Sequence, residues 1–132
     1  MSKLIKGTHH IALKCNGMEH FEKTISFYRD LLGMDVVRTW GEGTKSAIML
    51  STGNSLMEIF ASGEDMPGEG AIRHFALLTD DVDACVKAVR EAGYEITTEP
   101  GDVTISSQPP LPIRMAFCIG PAGETIEFFH EY

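Results

Sequence analysis

Long apolar runs are missing from this sequence. No stretch approaches the roughly 20 consecutive apolar residues that would cross a bilayer, so no membrane partner is expected. Basic residues are scarce: 11 Lys and Arg stand against 19 Asp and Glu, for a formal charge of -8. They are scattered rather than clustered, which argues against nucleic acid or another polyanion as the main partner. Cysteine is sparse too. Cys15, Cys85 and Cys118 are an odd number without CxxC spacing, and no signal-peptide pattern is evident. The reducing cytoplasm is therefore the expected compartment, and the cysteines read as structural. There is no low-complexity tract, and Gly41-Glu42-Gly43 is too short and too badly placed to cradle phosphate. What is present is a chain of 132 residues, long enough to bury a core as one domain without covalent staples.

The hydrophobic patterning is written twice. His9 to Lys14 alternates as a strand, and Met18 to Leu32 carries Phe21, Ile25, Tyr28, Leu31 and Leu32 at helical spacing, ending at Gly33. Asp35 to Thr39, Ser46 to Leu50 and Leu56 to Ala61 then read as strands, the last two forming a hairpin around Ser51-Thr52-Gly53-Asn54. After a loop marked by Gly63, Pro67, Gly68 and Gly70 the order restarts. Arg73-His74-Phe75-Ala76-Leu77 echoes His9-His10-Ile11-Ala12-Leu13, a helix over Val82 to Ala92 stops at Gly93, and Tyr94-Glu95-Ile96 echoes Met34-Asp35-Val36. A Pro-rich excursion from Gly101 to Pro112 reads as a loop, followed by a hairpin of Arg114 to Ile119 and Thr125 to Glu131. The expected fold is α+β, a single domain, 1–132, of two βαβββ modules, about residues 8–62 and 71–132, that pair their sheets into a cup, within one chain or between chains.

Within that frame, two carboxylates stand out. Glu58 in Leu56-Met57-Glu58-Ile59-Phe60 and Glu127 in Thr125-Ile126-Glu127-Phe128-Phe129 are acids in apolar strands, a costly placement unless paired or bound. Period-two alternation turns Met57, Ile59, Ile126 and Phe128 toward the helices and leaves Glu58, Phe60, Glu127 and Phe129 on the other face. The same parity puts His10 and His74 on that other face. A single strand histidine is more often a packing residue than a ligand, and a lone glutamate could be an edge charge. One His and one Glu at equivalent places in both halves is a different matter. Two imidazoles with two carboxylates suit one divalent transition ion such as nickel, zinc, cobalt, manganese or iron. His9 and His20 read as surface or packing residues, and His130, near the end of the last strand, falls on the opposite face and at most borders the site.

These residues resemble the vicinal oxygen chelate superfamily, and within it the small glyoxalase I proteins. The resemblance rests on His10-Ile11-Ala12-Leu13, Phe27 through Met34, Glu58, His74-Phe75-Ala76-Leu77 and Gly120 through Glu127. It implies a metal-dependent lyase or isomerase acting on a small molecule, a hydroxycarbonyl or hemithioacetal. A proton would move between adjacent carbons through a metal-stabilised enediolate, with His10, Glu58, His74 and Glu127 as ligands and Glu127, then Glu58, as base. It also implies a homodimer. The expected substrate contacts are Lys14, Phe60, Ser62, Gln108 and Phe129. Lys14 and Ser62 stand where glutathione-dependent members carry Arg and Asn, which opens the thiol to question. Two other functions fit the same fold, a small-molecule binding or resistance protein and an acyl-CoA epimerase.

Overall fold

The structure is a computed structural model that describes residues 8–64 and 72–132. The chain divides into two compact units, residues 1–65 and 66–132. Pro67, Gly68 and Gly70 of the expected boundary loop lie outside the described residues.

In the first unit, strand β1 (His10–Lys14) is followed by helix α1 (Gly17–Ile25) and strands β2 (Asp35–Trp40), β3 (Ala47–Ser51) and β4 (Leu56–Phe60). The sheet order is β1-β4-β3-β2, with β1 parallel to β4 and the other pairs antiparallel. The second unit repeats it with β5 (Phe75–Leu78), α2 (Val82–Glu91), β6 (Ile96–Ile105), β7 (Leu111–Ile119) and β8 (Thr125–Glu131), in the order β5-β8-β7-β6. Each unit is thus a βαβββ module with a four-stranded mixed sheet, and the α+β class follows directly.

The alternation in β4 decides which side each helix covers. Met57 and Ile59 are fully buried, whereas Leu56, Glu58 and Phe60 are half-buried. In β8, Ile126 and Phe128 are buried in the same sense, and α2 presents Val82, Val86 and Val89 to that unit's sheet. We call the side away from the helix the far face of each sheet.

Two elements depart from the sequence expectation. The first helix does not run unbroken from Met18 to Leu32: past Ile25 it widens into a π-helical turn over Ser26–Leu31. There the Leu32 N–H donates to the Phe27 carbonyl at 3.1 Å. Successive side chains in the wider turn rotate by less than the ~100° of an α-helix, so Phe27 and Tyr28 can both point inward. Both are buried, packed edge to face with ring centroids 4.9 Å apart. Gly33, at φ 80°, then ends the element in the left-handed region that other residues avoid.

The larger correction concerns Gly101 to Pro112. Most of this segment is strand: β6 runs to Ile105 and β7 starts at Leu111, so only Ser106 to Pro110 turns. Pro100 and Gly101 are accommodated because β6 is an edge strand with register shifts between Ile96 and Gly101. An edge bulge needs no N–H from proline and exploits glycine.

Candidate metal and substrate site

The two His–Glu pairs are built by one local rule. In the parallel ladder of β1 and β4, Glu58 lies across from Ala12, two residues past His10. In the ladder of β5 and β8, Glu127 lies across from Ala76, two residues past His74. Alanine opposite each carboxylate leaves it room to lean back toward the histidine. His10 Nε2 is 3.6 Å from Glu58 Oε1, and His74 Nε2 is 3.4 Å from Glu127 Oε1. Two atoms each ~2.1 Å from a common ion are roughly 3.0–3.4 Å apart at octahedral or tetrahedral angles; the His74–Glu127 pair sits at the upper end of that range, and the His10–Glu58 pair lies just beyond it. Within either unit, among the described residues, no third His, Cys, Asp or Glu completes a set.

Each histidine is held differently. His10 Nδ1 is 2.9 Å from His9 Nδ1, so one of the two carries the shared proton, and Nε2 of His10 is the nitrogen that faces Glu58. His9, read from sequence as a surface or packing residue, is therefore a neighbour of the pair. The ring of His74, just ahead of β5, meets Phe117 edge to face at 5.2 Å and 89°. Phe117 in turn lies across from Glu127 in the β7–β8 ladder.

The carboxylates also differ. Glu127 is only 9% exposed, the one buried acid among the described residues, while Glu58 is half-buried. Burial pushes the Glu127 carboxyl above the usual range, and the neighbouring His74 pulls it back in part.

Of the expected substrate contacts, Lys14 and Phe60 come together on the far face of the first sheet, the ammonium 6.0 Å from the ring centroid. Phe129 shares the Glu127 face, across from Leu78 on one side and Met115 on the other. Ser62 is exposed and lies past the end of β4, bridged through its backbone to Asn16. Gln108 is exposed in the turn of the β6–β7 hairpin, beyond the last paired residues Ile105 and Leu111. Sequence reasoning missed Trp40, which meets Phe60 edge to face at 6.3 Å. A register shift between Val36 and Arg38 breaks the alternation in β2, so parity could not assign Trp40 a face. A cleft of about 220 Å³ bordered by Phe21, Ile25, Trp40 and Ile48 contains neither member of a His–Glu pair. Among the described residues no helix is long and apolar enough to cross a membrane.

Comparison with known proteins bears on the family and the fold. The family described as Glyoxalase/Bleomycin resistance protein/Dioxygenase superfamily matches residues 7–128. Lactoylglutathione lyase of Haemophilus influenzae is 34% identical over 115 residues, which cover 81% of this chain and 82% of that one. The uncharacterized protein YwbC of Bacillus subtilis is 30% identical over 125 residues, covering 80% and 85%. Among solved structures, the trypanothione-dependent glyoxalase I of Leishmania major superposes with a TM-score of 0.70 at 21% identity, over 96% of this chain and 87% of that one.

Proposed function

Because the chain belongs to the Glyoxalase/Bleomycin resistance protein/Dioxygenase superfamily, we propose that it is a divalent-metal-dependent lyase or isomerase of the glyoxalase I type. It would move a proton between adjacent carbons of a small hydroxycarbonyl or hemithioacetal. The observation that carries this reading is the repeated His–Glu pair, at equivalent register positions in both units, with the imidazole 3.6 and 3.4 Å from the carboxylate. His10, Glu58, His74 and Glu127 would hold the metal, with nickel or zinc the first candidates. A bound divalent ion would supply Lewis acidity toward substrate oxygens.

The protein's own part is the proton. Glu127 is the stronger candidate base, since burial raises its carboxyl toward the pH at which a base both accepts and returns a proton. His74 faces Oε1, which leaves Oε2 as the oxygen free to take it. Glu58, less buried, would serve chiefly as a ligand. Each unit contributes two of the four donors, so the site is complete only where two pairs combine. In a homodimer the second pair could come from either chain. Three cysteines outside any disulfide suit a cytoplasmic protein.

The test is hydrogen exchange at carbon. Metal-loaded protein, given a panel of hemithioacetals, hydroxyaldehydes and short acyl-CoAs in deuterated water, should put deuterium on a substrate carbon. Glu127→Gln should lower that rate by about 10²-fold or more. Wild-type turnover in Glu127→Gln would remove Glu127 as the base. Tight binding without any exchange would favour a binding or resistance protein on the same fold.

A further inference from the structure

The repeat that reproduces the His–Glu pair does not reproduce its surroundings. One row on the far face of the first sheet runs Lys14, Phe60, Ala47, Trp40 across β1, β4, β3 and β2. The corresponding row of the second sheet runs Leu78, Phe129, Met115, Gly101. A lysine stands where the other unit has leucine, and a tryptophan where it has glycine. Small Ala47 between the rings lets Phe60 and Trp40 meet at 6.3 Å, and the Lys14 ammonium lies 6.0 Å from the Phe60 centroid. Arg38, two residues before Trp40 in β2, shares the face in the row of Glu58 and Met49. Lys14 and Arg38 are both exposed, and neither is in an ion pair among the described residues.

Two cations with no ion-pair partner among the described residues, beside an aromatic pair in a chain of net charge -8, are an unusual use of scarce positive charge. The common fold does not need them, since the second unit forms the same sheet with Leu78 at the position matching Lys14 and Thr98 at the one matching Arg38. Phe60 is two residues from Glu58 on one strand and face, roughly 7 Å along it. We propose that Lys14, Phe60 and Trp40 form a binding subsite for a small planar anion, an aryl or otherwise flat carboxylate. The anionic group meets the Lys14 ammonium, and the flat part packs on the two rings. Resting on the reading above, this makes the substrate class anionic carbonyl compounds with a planar group.

Trp40 is the chain's single tryptophan, so the subsite carries its own fluorescent reporter, readable in metal-free protein and without turnover. Benzoylformate is the anionic probe and its methyl ester the neutral one. Benzoylformate should quench Trp40 saturably and bind more tightly than the ester. Lys14→Met should weaken benzoylformate by at least roughly tenfold, the loss of one charge-assisted contact, and leave the ester unchanged. Lys14→Arg should restore the preference for the anion, and Phe60→Leu should weaken both probes. Equal affinity for acid and ester, or no saturable quenching, would overturn the subsite, as would an unaltered anion preference in Lys14→Met. Loss of the subsite with carbon-bound exchange intact would leave the proposed reaction standing. An anion-selective subsite without exchange would do the reverse.

Discussion

At the scale of single residues, two groups of like chemistry are separated by their surroundings. Glu58 and Glu127 hold equivalent register positions across from Ala12 and Ala76, yet only Glu127 is buried. Desolvation disfavours the ionised form, so under the proposed reaction the more buried Glu127 would be the better base. The cysteines divide in the same way. Cys118 is fully buried, and desolvation pushes its thiol up to about 12. Cys15 is fully buried and Cys85 partly so. Thiolate is the reactive form, so a disulfide reagent at pH 8 should label Cys85 first and reach Cys118 only after denaturant is added. Timed labelling with peptide mapping checks the order.

At the scale of elements, β7 buries Ile113, Ala116 and Cys118 in the core, and an exposed charge network ties the β6–β7 hairpin to α2 and to Tyr132. The Arg114 guanidinium on β7 donates to Asp83 of α2 at 2.7 and 2.9 Å and to Asp102 of β6 at 3.2 Å. The Tyr132 hydroxyl donates to Asp102 at 2.6 Å. Arg114 holds the Asp83 carboxyl below its usual range, while Tyr132 first and then Arg114 do so for Asp102. A carboxyl lowered in the folded state contributes stability that is present above its unfolded pKa, near 4, and lost as pH falls through the folded value. Acidification from pH 7 to 3 should therefore cost the wild type more stability than Arg114→Met. The groups are exposed, so the difference will be small and will shrink in high salt. Urea unfolding midpoints at the two pH values measure it.

At the scale of the whole molecule, the duplicated pair sets a stoichiometry. On the proposed site each chain would supply four donors in two pairs and one ion would take two pairs, so one ion per chain is the expected outcome whether pairs combine within a chain or between copies. His10→Ala and His74→Ala should weaken metal binding to a similar extent. Each loss should exceed the roughly 10–100-fold that removal of a supporting residue costs. Cobalt titration followed by its visible absorption gives both affinity and ratio. A large loss in one variant and none in the other would show that the units do not contribute equally.

Much of this was legible in the residues themselves. Alternation in Leu56-Met57-Glu58-Ile59-Phe60 and in Thr125 to Phe129 assigned faces because side-chain direction in a strand is a local property of the backbone. The His-x-Ala repeat exposed the duplication, and Gly33 and Gly93 stopped the helices for reasons internal to each segment. Pairing between distant strands is not local, and there the sequence reading gave out. Gly101 to Pro112 looked like a loop because proline and glycine weaken a strand, yet an edge position with register shifts accommodates them. Trp40 was invisible because the register shift before Arg38 reverses the parity that would have oriented it. The sequence by itself determined which residue types recur and which side of a strand they share. The tertiary structure decided how near His10 and His74 come to their glutamates, that Glu127 is the buried one, and that Lys14, Phe60 and Trp40 form one row. Distance and burial depend on register and packing between segments far apart in the chain, which no local pattern encodes.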